Sequence, residues 1–392
     1  MNLAISPVWK ERLAAAGNSA LFTALAIATA LIVGALVIIF SDPDTLGQWG
    51  DFFSDPGGAL SASWDNIYAS YRALFDSSLN GTGPLSRTMI EATPLLFAGL
   101  SVGLGFRAGL FNIGASGQLM MGATTAAMVG FMLELPAVIH LPLALLAGFA
   151  GGMVWGGIAG FLKAKTGAHE VISTIMLNFV ALRLLDWLLS LDAFHREGRR
   201  DPISPPMEET ARLPQIPGPF TAHWGIVLAI AAAVGVWWLL ERSTIGFRMR
   251  AVGTNAEAAR AAGMSVAGTY LLSMALAGGL AGLAGTSNLL GRPSFSLTGG
   301  FYRSIGFDAI ALALVGRSKP GGIVAAAFLF GALKAGATGM QAATNTPVDI
   351  IVVIQALIIA FVAAPRIVSA IWRIRGRAGL ESQQFTAGWG SA

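Results

Sequence analysis

The sequence predicts an all-α, polytopic integral membrane protein of about ten transmembrane helices. Three observations carry this fold class. Of 392 residues, 54% are hydrophobic and 12% charged, with a mean hydropathy of +0.66, whereas a soluble domain carries roughly a quarter charged residues. Apolar runs of roughly 20 residues, long enough to cross a bilayer as a helix, recur along the chain. Lysine and arginine gather in alternate connections between those runs, as they do in cytoplasmic loops. A soluble protein with a large core leaves these runs unexplained.

The first run, Leu21 to Phe40, follows Lys10 and Arg12, as a signal peptide would. It is longer than a typical signal core, and the Ser-Asp-Pro-Asp after it is not a small-residue cleavage site. It reads as an uncleaved first helix after a cytosolic segment, 1–20. Further spans are expected near 88–106, 115–133, 139–162, 170–191, 224–240, 269–290, 304–316, 321–341 and 348–364. Together they form a single transmembrane domain, 21–364. Placing the N-terminus inside collects Arg107, Lys163, Lys165, Arg242, Arg248, Arg250, Arg260, Arg317, Lys319 and Arg366 on the inner side, so the orientation is N-in and C-in. Arg196, Arg199, Arg200 and Arg212 run against the rule locally. The basic tail 365–392 is then cytosolic, and the net charge of +4 reflects inner loops rather than affinity for nucleic acid.

Two extracytoplasmic segments exceed the length of connectors. In 41–87, Trp64 to Phe75 has helical apolar spacing, with Ile67, Tyr71, Leu74 and Phe75 on one face. That suits an amphipathic helix at the outer surface. Segment 192–223 is rich in proline and reads as irregular. Either segment could dock an external partner or cap the bundle.

Small residues recur every fourth position: Gly148, Gly152, Gly156 and Gly160; Gly278 and Gly282; Gly331, Ala335 and Gly339. Such ridges let helices approach closely where lipid removes the hydrophobic drive. Polar groups also fall inside or at the edge of spans: Glu91, Ser173, Thr174, Asn178, Arg183, Asp186, Asn288, Asp308, Lys334 and Gln341. Arg183 and Asp186, three apart, share a helix face and can pair. The long stem of Lys334 could carry its charge to an interface. The densest polar stretch is Gly109-Leu-Phe-Asn-Ile-Gly-Ala-Ser-Gly-Gln-Leu-Met-Met-Gly122, where each unpaired polar group in lipid costs several kcal/mol. Its amides either pair helices or meet something that crosses.

The inner loop 241–268 is the longest basic one. Thr254 or Asn255 can cap an alanine-rich helix over Ala256 to Ala262, with Gly263 as its terminator. No cysteine is present, which excludes disulfides and thiol chemistry, and His140, His169, His195 and His223 lack metal-ligand spacing. There is no G-x-x-x-x-G-K-[ST], and Gly114-Ala-Ser-Gly-Gln departs from the G-x-S-x-G elbow. Nothing in the chain indicates an enzyme or a resident cofactor.

Four stretches, Phe111 to Gln118, His169 to Asn178, Gly278 to Gly285 and Phe307 to Gly316, together resemble the membrane permeases of bacterial ABC importers. The family handles branched-chain amino acids, ribose-like sugars and nucleosides, and the chain is most similar to its nucleoside and simple-sugar permeases over roughly 85–390. Ser116 stands where the nucleoside-type pattern has glutamate. Glu257-Ala-Ala-Arg-Ala-Ala-Gly263 resembles the E-A-A-x-x-x-G helix that such permeases insert into an ATPase groove, without the usual I-x-L-P tail. The resemblance implies two permease subunits around one path in the bacterial inner membrane. It implies two cytosolic ATPases, holding ATP and Mg, beneath them and an extracytoplasmic solute-binding protein above. It implies path-lining roles for Asn112, Ser116, Gln118, Asn178 and Asn288, and ATPase coupling through Glu257, Ala258, Ala259 and Gly263. An ion-driven transporter using Glu91, Asp186 and Asp308 as proton carriers is the rival reading.

Overall fold

The computed structural model describes residues 7–300, 305–344 and 346–373, with side chains from residue 21 onward. Residues 374–392 of the expected basic tail, with Arg375 and Arg377, lie outside the described residues. Among them the regular structure is helical, with only two isolated bridges, Ile203 to Thr298 and Gln215 to His223. The chain divides into two compact units, one running through Ser77 and resuming at Gly336, the other Ser78–Ala335.

The first unit starts with α1 (Pro7–Ser41), so helix already occupies most of the segment expected as a cytosolic lead-in. Only Leu21–Ser41 is apolar enough to span. Asp42 caps α2 (Pro43–Gly50), accepting from the Thr45 N–H at 3.1 Å. The outer helix α3 (Pro56–Ser78) exceeds the amphipathic stretch seen in sequence. Tyr71 donates its hydroxyl to the Leu31 carbonyl at 2.6 Å, and Leu74 packs where Gly336 gives it room. Phe75 departs from the expected inward face and is half exposed, because it stands eight residues beyond Ile67, about 80° around the helix.

The second unit holds α4 (Thr82–Arg107), α5 (Ala115–Met132), α6 (Ala137–Thr166), α7 (Glu170–Leu189), α8 (Gly225–Arg242), α9 (Thr244–Thr254), α10 (Ala256–Ala261), α11 (Val266–Gly291) and α12 (Ile305–Val315). The start of α13 (Pro320–Thr344) also belongs here; its end, with α14 (Asp349–Ala363) and α15 (Pro365–Ile371), belongs to the first unit. α11 is the axis of the second unit, buried almost throughout from Ser273 to Leu290. The glycine ridges meet there. A Cβ on Gly152 would lie 2.7 Å from the Gly282 Cα, and one on Gly278 would lie 2.9 Å from the Gly156 Cα. Gly122 of α5 presses on Gly282 as well. Three helices thus approach backbone to backbone, which small residues alone permit.

Each expected span corresponds to a helix, but seven helices are long and apolar enough to cross a membrane among the described residues. α5 falls short through its polar content, α12 through its 11 residues, and α14 through its length and a 92° bend into α15. The 192–223 segment is irregular apart from one turn at Glu209–Ala211, and it folds inward. The Ser204 and Met207 N–H groups bond the Leu297 and Phe295 carbonyls at 3.0 and 2.8 Å, and the Glu208 and Leu213 N–H groups bond the Gly130 and Leu290 carbonyls near the ends of α5 and α11 at 2.8 and 3.0 Å.

Candidate functional site

Between α4 and α5 the chain leaves the helix at Ala108 and re-enters it at Ala115, and the polar stretch begins in this break. Gly109 turns the chain at φ +72°. Asn112 and Gln118, both fully buried, pair amide to amide: Asn112 Nδ2 donates to Gln118 Oε1 at 2.8 Å, and Gln118 Nε2 returns a bond to Asn112 Oδ1 at 3.1 Å. Asn112 Oδ1 also accepts the Gly114 N–H at 3.0 Å.

Asn178 arrives from α7. Its Oδ1 accepts the Gly117 N–H at 2.7 Å and its Nδ2 donates to the Ile113 carbonyl at 2.9 Å. Gly117 is in the first turn of α5, where an N–H has no partner within the helix. Glycine is required there, since a Cβ would sit 2.9 Å from Asn178 Oδ1. Thr174, one turn earlier on α7, meets Gly114 in the same way. The break is therefore pinned by a side chain remote in sequence.

Of the sequence-predicted path residues, Asn112, Gln118 and Asn178 come together. Ser116 faces away from them, toward α12, where its hydroxyl occupies the place a Cβ on Gly306 would take. Asn288 belongs to a separate cluster. It accepts from Arg292 Nε, and Arg292 Nη2 reaches Glu91 at 2.7 Å. Next to that cluster His223, just outside α8, is buried, and burial followed by the Arg292 charge lowers its pKa to about 4. Sequence reasoning missed Trp155 of α6. Its buried Nε1 has no hydrogen-bond partner among the described residues and lies beside Gly117. Only a lone tryptophan within a glycine ridge could have signalled it.

The carboxylates of the rival reading are all held by cations. Glu91 pairs with Arg292, Asp186 with Arg183 at 3.4 Å, and Asp308 with Lys334 at 2.6 Å. Lys334 thus turns to α12 for its counter-ion. Lys163 and Glu170, not read as a pair in the sequence, form an ion pair at 2.9 Å.

The loop 241–268 folds as two helices rather than one. Ser243 caps α9 by accepting the Gly246 N–H at 2.9 Å, and Asn255 caps α10 by accepting from Ala258 at 3.0 Å. Gly263, at φ +80°, ends α10, with the Met264 N–H bonding back to the Ala259 carbonyl. Ala259 is buried against Val252 and Val266, whereas Glu257, Ala258 and Gly263 are exposed. Gly253, near the end of α9, lies on the α4–α5 break: a Cβ on Gly109 would be 2.8 Å from the Gly253 Cα. Arg107 and Glu241 form an ion pair beside this contact.

Residues 85–363 match the family described as the permease component of branched-chain amino acid transport systems. The chain is 39% identical over 300 residues to a guanosine ABC transporter permease of Bacillus subtilis, covering 76% of this chain and 86% of that one. It is 36% identical over 315 residues to a glucose ABC transporter permease of Haloferax volcanii, covering 78% and 82%. A nucleoside ABC transporter permease of Lactococcus lactis is 32% identical over 316 residues, covering 77% and 85%. No solved structure matches significantly.

Proposed function

The chain belongs to the family of permease components of branched-chain amino acid transport systems, and from that membership we propose that it forms the path of an ATP-driven importer for a nucleoside or simple sugar. It is a multi-pass plasma-membrane subunit of an ABC transporter. ATP and Mg are handled by separate cytosolic ATPase chains, a second permease subunit completes the path, and an extracytoplasmic binding protein delivers the solute. The carrying observation is that the match spans α4 to α14 and includes every candidate path residue. Relatives named for guanosine, nucleoside and glucose support a hydroxylated solute over an amino acid.

On this reading ten spans run from an inner N-terminus to an inner C-terminus, with α5, α12 and α14 as the short or polar ones. Asn112, Ser116, Gln118, Asn178 and Asn288 line the path, and Trp155 adds an unspent N–H. The exposed Glu257, Ala258 and Gly263 meet the ATPase, while the buried Ala259 anchors α10 to α9. Displacement of α9 then reaches the α4–α5 break through Gly253 and Gly109, a direct mechanical route from nucleotide to path. The paired state of Glu91, Asp186 and Asp308 disfavours the ion-driven alternative.

Reconstitution in liposomes tests the reading. With the ATPases, the second permease and the binding protein, uptake of a radiolabelled nucleoside or sugar should require ATP. Uptake driven by a proton or sodium gradient without ATPase would overturn it. An amino acid co-purifying with the cognate binding protein would overturn the solute class alone.

A further inference from the structure

Just beyond the C-terminal end of α7 one imidazole touches two carbonyl groups. His195 Nδ1 lies 3.2 Å from the carbonyl oxygen of Leu189, the last residue of α7, and Nε2 lies 2.9 Å from that of Arg199. A carbonyl only accepts, and a neutral imidazole has one N–H. Either neutral tautomer therefore sets a nitrogen lone pair against an oxygen, and only the imidazolium satisfies both bonds. The position suits a cation for a second reason. The last carbonyls of a helix have no partner within it and carry the negative end of its dipole.

The imidazole joins a fixed base to a short loop. The base, Leu191 to His195, winds onto the end of α7, with Phe194 buried edge-on against Phe131 of α5 at 5.4 Å between ring centroids. The loop 196–203 is closed by the Arg196 N–H on the Ile203 carbonyl at 2.9 Å, and Ile203 bridges to Thr298. The charges that act on His195 are Asp201 of the loop and Asp192 of the base. Asp201 also holds Arg199 by two bonds of 2.8 Å, while Arg183 and Asp186 of α7 pair with each other. Arg196, Glu197 and Arg200 are exposed on the loop, and Phe131 and Thr298 bring no charge. The bond to the Arg199 carbonyl first, then that to Leu189, raises the His195 pKa above 6.5, and the two carboxylates add to the rise.

We propose that His195 is an acid-fastened latch: protonated, it ties the loop 196–203 to the end of α7, and on losing its proton it releases one of the two carbonyls and frees the loop. The folded chain favours the charged form, so the latch is fully fastened below pH 6.5 and is lost as pH rises through the folded value. On the orientation proposed above, the loop faces the extracytoplasmic side, and external pH sets its order.

Hydrogen–deuterium exchange of the full chain in lipid nanodiscs, read by mass spectrometry between about pH 5 and about pH 8, tests the latch. After correction for the intrinsic exchange rate, protection over 196–203 should fall as pH rises, with a midpoint above 6.5. Residues 207–213, held by the Met207 and Leu213 N–H bonds, should stay protected throughout. His195→Gln, with no proton to lose in this range, should show low protection over 196–203 and no midpoint. Constant protection of 196–203 in the wild type would overturn the proposal, as would the same fall in His195→Gln. Loss of protection over 207–213 at the same midpoint would assign the effect to general opening and overturn it too. Exchange is read without ATPase or solute, so failure of the permease reading, seen as ATP-independent uptake, is a separate result.

Discussion

Asn178→Ala tests whether one side chain of α7 holds the entrance to α5. The substitution leaves the Gly117 N–H and the Ile113 carbonyl without their partner. A fully buried polar group so abandoned costs about 1–3 kcal/mol. Both bonds are part-buried, which reduces the expected loss to about 2–3 kcal/mol in total. At about 2–4 °C per kcal/mol for a domain of this size, unfolding in detergent should occur about 4–12 °C lower. Asn178→Asp keeps the acceptor for Gly117 and loses the donor to Ile113, so it separates the two bonds. Ser173→Ala on the same helix removes only a bond to the His169 carbonyl within the helix and should leave the transition where it is. Differential scanning fluorimetry of the three variants reads the series. An Asn178→Ala transition coinciding with that of Ser173→Ala would refute the pinning argument.

His223 gives the protein an acid limit. Its folded pKa of about 4 lies below the unfolded value of 6.5, so the folded state binds fewer protons between the two. The stability it contributes is complete above pH 6.5 and is lost as pH falls toward 4, amounting to about 3 kcal/mol; urea titrations of wild type should show this loss, and His223→Gln, with no imidazole to protonate, should not. Gly152→Val drives a side chain into Gly278 and Gly282, and overpacking of about 1–3 kcal/mol or more should appear as loss of folded protein by size-exclusion chromatography. Glu257→Ala with Gly263→Val should weaken ATPase co-purification and ATP-driven uptake while binding-protein affinity for solute stays unchanged, measured by calorimetry.

Much of the fold was legible because its signals are local. Each predicted span corresponds to a helix, since hydropathy over about 20 residues is read without knowing any partner. The helix break was legible too, from Asn112, Gly114 and Gly117 within a few residues. What holds the break was not. Asn178 lies 61 positions from Gly117 and Arg292 lies 201 from Glu91, and no periodicity relates residues so far apart. Nothing within the stretch itself signals that Gly117 admits the carbonyl oxygen of Asn178. α9 was missed because Arg248 and Arg250 interrupt its apolar pattern, although Ser243 offered a cap. Phe75 was assigned to the wrong face because a stripe drifts around a helix over eight residues.

The contact between Gly253 and Gly109 has a mechanical asymmetry. Two backbones in van der Waals touch resist being pushed together and offer almost nothing against being drawn apart. On the proposed coupling, a stroke that pressed α9 toward the membrane would therefore be delivered to the α4–α5 break at full stiffness. On that coupling, the reverse stroke pulls through Glu241 of α8, which pairs with Arg107 of α4 and, at 3.9 Å, with Arg250 of α9, and partly exposed ion pairs are weak and screened by salt. Such a joint would work as a pushrod with a soft return spring, and ionic strength should then slow the resetting half of the proposed cycle more than the driving half.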